Sequence, residues 1–349
     1  MLNSASAWML FSFMVAGVCH EFVGPDKMKR SAIGSTRVSG ILWATLTGMC
    51  LPICSCGTIP LGISMYYAGA YLGPTLTFMT STPMINPIAI ILAFGLLGKE
   101  IAIIYVLTGF FAPFLIGLVA NRFGGKELYY KPAYEAAATG PRITLQQQKA
   151  PFWTKVKKGL RWSFTELAVT ISKYTVSGML IAGLLFTVVP QSAISRYLGD
   201  PGMISLLGIT VVAALMYVCA VGHIPFIAAL VASGAAPGVA VTFLMAGCAT
   251  NIAELLTIRK TIGRRSMWLY SGMVILLSEI AGFLTNSLLP NFQPALDYDA
   301  VTHSITSANA LIVEVPEWLQ TGCSAVLIVY ACVALVRWLQ KNRVEKVHS

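Results

Sequence analysis

Charge is what this sequence has least of, and acidic charge least of all. Only 11% of its 349 residues are charged, with 14 aspartates and glutamates against 24 lysines and arginines. So few charges, beside 56% hydrophobic residues and a mean hydropathy of +0.73, exclude an ordinary soluble domain. No GxxxxGK[ST] phosphate loop occurs, so ATP hydrolysis is not built into the chain, and neither HExxH nor a zinc-finger cysteine spacing is found. An enzyme, a cofactor and a resident metal are therefore not expected. The eight cysteines lack the spacing of a secreted disulfide framework and lie mostly in apolar runs, which predicts mainly free thiols. Ala5 to Val23 is apolar without a basic region before it or a small-residue cleavage site after it, so it reads as a first span rather than a cleaved signal.

What is present is a series of apolar stretches separated by short basic loops. The net charge of +10 resides in those loops, which is the positive-inside pattern of a membrane protein and not the footprint of a nucleic-acid partner. Residues 1–122 form a first transmembrane unit and 123–162 a basic cytoplasmic linker with an interfacial segment near Trp153 to Trp162. Residues 163–290 form a second unit, with Phe164 to Val189 and Gly238 to Ile258 read as spans. Residues 291–317 make an acidic outer loop, and 318–349 a last span with a basic tail. The charge pattern predicts a multi-pass protein of the inner membrane with its N-terminus outside and its C-terminus cytoplasmic. Its expected partners are the lipid bilayer and a small solute; association into a homo-oligomer stays open.

The chemistry concentrates at Pro52-Ile53-Cys54-Ser55-Cys56-Gly57-Thr58-Ile59-Pro60. Two prolines and a glycine within nine residues break a helix, because proline has no N–H and glycine costs backbone entropy. Broken backbone at membrane depth persists only where protein or a water-filled cavity satisfies it, and in transporters such breaks form the substrate site. In extended chain residues i and i+2 point the same way, so the break lets Cys54 and Cys56 line one site. A helix starting near Gly57 would favour the thiolate of Cys56.

The break recurs. An ungapped shift of 165 residues pairs Pro60 with Pro225, Cys54 with Cys219, Gly57 with Gly222, Gly69 with Gly234, Gly73 with Gly238 and Asn86 with Asn251. Half-duplication follows. The first broken pair enters from the basic side and the second follows the loop at Arg196 to Asp200, so the halves should be inverted. The predicted fold is an all-α polytopic membrane protein of two inverted repeats. Each carries a broken, re-entrant helical hairpin reaching the midplane, and one extra C-terminal span follows.

Around the two tips the polar inventory is small. Cys54, Cys56, Thr58 and Asn86 come from the first half, and Cys219, His223 and Asn251 from the second, with Cys248 near by. Thiols, an imidazole and amides suit a soft metalloid or transition metal better than a hard ion. Each has a plainer reading: a buried cysteine is usually a small hydrophobe, His223 can bond a freed carbonyl, and the asparagines can hold broken backbone. Three groups are candidates for proton coupling, namely His223, Glu254 and Lys173. Glu254 precedes a basic turn and can pair with Arg259 or Lys260 instead, while Lys173 can snorkel along its stem.

The run Leu51 to Pro60, the later Gly69 and Gly73, Phe78 to Asn86, the second-half Gly-His-Ile-Pro and Phe243 to Asn251 resemble the ArsP/YraQ-type predicted permease family over residues 5–290. Some members of that family are efflux permeases for trivalent organoarsenicals, whose arsenic binds thiols. The resemblance implies that Cys54 and Cys56 are the thiol site. Val221 stands where Cys56 has its counterpart and His223 where Thr58 does, so a three-thiol site would need Cys219 or Cys248. The expected function is a secondary transporter of a soft, thiol-reactive solute, with efflux of a trivalent arsenical or a similar metalloid or metal species as the leading case. A transporter of a small sulfur-containing anion and a membrane thiol-disulfide carrier are the rivals.

Overall fold

A computed structural model describes residues 2–22, 35–51, 55–131, 151–173, 176–177, 180, 202–215, 220–232, 234–290, 292 and 316–347. Every regular element among them is a helix. Cys54, Cys219, residues 293–315 of the expected outer loop and half of the expected span from Phe164 to Val189 lie outside the described residues.

The first half contains α1 (Leu2–Phe22), α2 (Val38–Cys50), α3 (Ser55–Tyr67), α4 (Leu72–Met84), α5 (Pro87–Leu96) and α6 (Lys99–Phe123). Next come α7 (Phe152–Trp162), α8 (Met203–Leu215), α9 (Ala220–Ala232), α10 (Pro237–Ala249), α11 (Ile252–Thr261), α12 (Arg264–Leu288) and α13 (Glu317–Val347). Each of α8 to α12 begins and ends 165 residues after its counterpart among α2 to α6. The packing follows the same rule. α2 lies on α4 and α6, and α4 on α6; α8 lies on α10 and α12, and α10 on α12.

Among the described residues three helices are long and apolar enough to cross a membrane: α6, α12 and the Glu317–Val336 part of α13. Two further pairs qualify as bent spans, α4 with α5 at 42° and α10 with α11 at 40°. The expected bend at Asn86 is therefore present. Gly238 to Ile258, read from sequence as one crossing, is broken in the same way. Pro83 and Pro87 mark the first bend, but no proline marks the second, which turns at Thr250 and Asn251. α2, α3, α8 and α9 have 13 residues each, about 20 Å of helix and short of a bilayer core of roughly 30 Å.

Burial is inverted relative to a water-soluble bundle. Every residue of α4 and of α10 is buried, including Thr75, Thr77, Thr80, Ser81 and Thr82. The outer faces of α6 and α12 instead expose Leu107, Phe111, Phe283 and Leu288, each at least half exposed. Lipid accepts such a surface and water does not. The hydroxyls of α4 bond within the protein: Thr80 donates to the Leu76 carbonyl at 2.7 Å and Thr82 to that of Phe78 at 2.8 Å. Close backbone approach requires glycine at Gly117, where a Cβ would lie 2.0 Å from the Thr77 hydroxyl, and at Gly282, where it would lie 2.0 Å from that of Thr242.

The end of the basic linker is helical. α7 continues through a π turn, Ser163–Leu167, into a helix that carries Lys173. It packs on α1 so closely that a Cβ on Gly159 would sit 2.2 Å from the Gly17 carbonyl oxygen, and Lys158 pairs with Glu21 at 3.4 Å. Phe152 and Trp153 stay exposed at its start beside Lys155, Lys157 and Lys158, the composition of an interfacial segment.

Candidate functional site

The site is built at the two breaks. Each interrupted helix ends with exposed carbonyls and restarts with unbonded N–H groups, which must find partners inside the protein. Asparagine supplies them. The Asn86 side chain accepts from the Ala89 N–H at 2.8 Å and starts α5; the Asn251 side chain accepts from the Glu254 N–H at 2.8 Å and starts α11. The holding role expected for both residues is thus observed, and both are buried.

The second break carries a charge that the first does not. Glu254, in the first turn of α11, is 1% exposed. Its Oε2 accepts from Asn251 Nδ2 at 3.1 Å and its Oε1 from the Tyr270 hydroxyl of α12 at 2.9 Å. It makes no ion pair among the described residues, so the pairing with Arg259 or Lys260 allowed by sequence does not occur. Those cations lie in the last turn of α11 and are exposed, while Glu254 faces inward in its first turn. Thr80, from α4 of the first half, lies beside Tyr270, and Cys248 of α10 lies near the same hydroxyl. Sequence reasoning missed Tyr270. Its signal was the 165-residue shift, which pairs it with Tyr105, and both are among the largest fully buried side chains.

The remaining candidates distribute around the seam between the halves. Thr58 is buried in α3, and α3 packs on α11, the helix of Asn251 and Glu254. His223 is half-buried in α9, its ring centroid 6.0 Å from that of Phe243, and α9 packs on α5, the helix that Asn86 starts. Cys56 falls in the first turn of α3. Lys173 lies on the helix that follows the π turn and is not brought to Glu254. Glu279, on α12, faces α8 instead, where Thr210 donates to its Oε1 at 2.6 Å and its Oε2 has no partner among the described residues. No cluster of three or more metal-ligating side chains occurs among the described residues.

Comparison with known proteins places the sequence in a family. The sequence profile of the ArsP_1 family, described as "Predicted permease", matches residues 1–287. The UPF0718 protein MJ0584 of Methanocaldococcus jannaschii is 26% identical, over 80% of this chain and 91% of its own length. YcgR of Bacillus subtilis is 24% identical over 81% and 93%, and YraQ of Escherichia coli 22% identical over 78% and 75%. No solved structure is a significant match. A multi-pass helical chain with two bent helix pairs, matched over most of its length by a permease profile, belongs to the ArsP_1 permease family, a family of transporters rather than enzymes.

Proposed function

We propose that this membrane permease binds its solute between the two halves, at the helix breaks, and that the solute is soft and thiol-reactive. The observation that carries this reading is the crossed pairing of the broken helices: α3 of the first half packs on α11 of the second, and α9 of the second on α5 of the first. A solute at one break thereby touches both halves, as alternating access requires. Cys56, in the first turn of α3, and Cys54, two residues before it in sequence, supply thiolates favoured by the positive end of that helix. Thr58, Asn86, His223 and Asn251 complete the lining, with Cys219 following from the second half. A trivalent arsenical or a related metalloid is the leading solute, moved outward, because thiolate sulfur is the ligand such species prefer.

The halves in this reading are inverted about the midplane of the inner membrane, with the basic loops and the C-terminus in the cytoplasm and the N-terminus outside. Among the three candidate proton carriers, Glu254 is the strongest, being buried and without a cation. His223 is the second, and Lys173, which is not a partner of Glu254, is the third. The test is transport by everted vesicles under a proton gradient, offering methylarsenite, arsenite, thiosulfate and zinc to wild type and to a Cys54→Ser/Cys56→Ser variant. Accumulation of one soft solute that the double variant loses is expected. Thiosulfate uptake that survives the substitutions would instead favour the anion reading, and no uptake of any of the four would overturn the proposal.

A further inference from the structure

The two halves place a tyrosine at equivalent positions and use it differently. In the first, Tyr105 of α6 donates to the carbonyl of Met84, the last residue of α4, and so fastens the helix end at the break. In the second, the equivalent tyrosine is Tyr270 and the last residue of α10 is Ala249. The Tyr270 hydroxyl nevertheless donates to Glu254. The cause is one side chain: the counterpart of Glu254 is Ala89, which offers no acceptor. Both rings are fully buried, so neither hydroxyl can turn to water and each must bond within the protein.

We infer that Tyr270 is the positioning residue of a proton site at Glu254 and has two bonded states, of which Tyr105 displays the second. The inference rests on the proton-coupled reading above. With Glu254 ionised, the Tyr270 O–H donates to Oε1, as observed. When a proton arrives, a new O–H bond forms on Glu254, which then donates to the phenol oxygen. The Tyr270 O–H turns to the Ala249 carbonyl. One proton is taken up, Tyr270 keeps its own, and no other covalent bond changes. The end of α10 is now fastened as α4 is, so proton occupancy decides whether the second break is held.

The groups facing this site are few. Tyr270 comes from α12, Cys248 from α10 and Thr80 from α4. α3, which also packs on α11, carries the thiol of Cys56 in its first turn and Tyr67 at its far end, where the hydroxyl donates to the Thr261 carbonyl at 3.4 Å. Asn251 holds Oε2 and caps α11 in both states. Because Thr80 belongs to the first half, a change at Tyr270 is felt across the seam between the halves.

The test is difference infrared spectroscopy of the full chain in liposomes across a pH titration, with ring-deuterated tyrosine to mark the tyrosine bands. It needs no transported solute, so it stands apart from the vesicle assay; a failure there with success here would overturn the soft-solute proposal and leave the proton site at Glu254 standing. Wild type should show a carboxyl band and a tyrosine band that titrate together. Glu254→Gln should lose both, Tyr270→Phe should lose the tyrosine band alone, and Tyr105→Phe should change neither. Tyr270→Phe keeps the buried ring, and Tyr105→Phe is its matched control for folding. A carboxyl band that titrates with no tyrosine change, or a tyrosine band that persists in Tyr270→Phe, would overturn the inference.

Discussion

At Gly73 and Gly238 the two halves make the same bond: each N–H donates to an asparagine side chain, Asn121 at 2.8 Å and Asn286 at 2.6 Å. Thr77 donates to the Pro113 carbonyl and Thr242 to that of Ser278, both at 3.1 Å. The left-handed turns at Gly69 and Gly234 also coincide, with φ of 97° and 100°. Three differences with chemical weight fall within a few residues of the breaks, where Cys56 faces Val221, Thr58 faces His223 and Ala89 faces Glu254 across the shift. At Gly73 and Gly238, and at Gly117 and Gly282, volume leaves little choice and both copies keep the same contacts. Near a break the backbone is already irregular, and a new side chain there alters chemistry without displacing a helix.

The largest effect that would break this equivalence is steric. Gly117→Val and Gly282→Val each force a Cβ against a threonine hydroxyl that is itself bonded to the facing helix. Each should cost about 1–3 kcal/mol from overpacking, with about 1 kcal/mol more for the lost hydrogen bond. Thermal denaturation in detergent, followed by size-exclusion chromatography, should show the two variants equally destabilised. A variant in one half that is silent while its counterpart is severe would show that the shared contacts are not shared in weight. On transport rather than stability, Cys54→Ser should lower flux of a thiol-binding solute by roughly tenfold, an activation difference of about 1.4 kcal/mol. Cys219→Ser, at the equivalent position, should do less, because its neighbour two residues on is Val221 rather than a second thiol.

The asparagine caps sharpen the comparison further. Asn86→Ala removes one cap and should cost about 1 kcal/mol. Asn251→Ala removes the same cap and also a donor to the buried carboxylate of Glu254, so it should cost about 1–3 kcal/mol more. Urea titration of the two variants, with Asn251→Asp as a cap-preserving control, separates the parts. Equal losses for the two alanine variants would mean that the Asn251–Glu254 bond contributes nothing.

Much of this was legible in the sequence because it rests on covalent constraints. Pro52, Pro60 and Pro83 lack an N–H wherever they stand, and the 165-residue shift that pairs Pro60 with Pro225 is the shift on which the helix bounds fall. The second bend was not legible, since no proline marks it; Thr250 and Asn251 form it through tertiary contacts and a cap that local sequence only permits. Nor was the partner of Glu254. Arg259 and Lys260 are near it in sequence and carry opposite charge, whereas Tyr270 lies on the next helix, and only packing decides which is adjacent.

The smallest predicted effect lies at the start of the matched helices α6 and α12. α6 has its own acid in the first turn, Glu100, to oppose the positive helix end, but α12 opens with Arg264 and Arg265 and has none. Glu127, just after α6, supplies it from the other half: its carboxylate accepts from the N–H of Arg265 at 3.2 Å and of Ser266 at 2.6 Å. The approach is so close that a Cβ on Gly263 would lie 2.0 Å from a Glu127 oxygen. The Glu127 carbonyl in turn accepts from Tyr66 at 2.9 Å, so the residue links α3, the end of α6 and the start of α12. Glu127→Ala should therefore cost about 0.5–2 kcal/mol, and Glu127→Gln less, because the amide keeps an acceptor while losing the charge. Glu100→Ala should cost a few tenths at most, since Glu100 acts only through the helix field. Denaturation midpoints at low and high salt distinguish the contributions: the Glu100 effect should vanish in salt, and that of Glu127→Ala should persist as the share owed to its two hydrogen bonds.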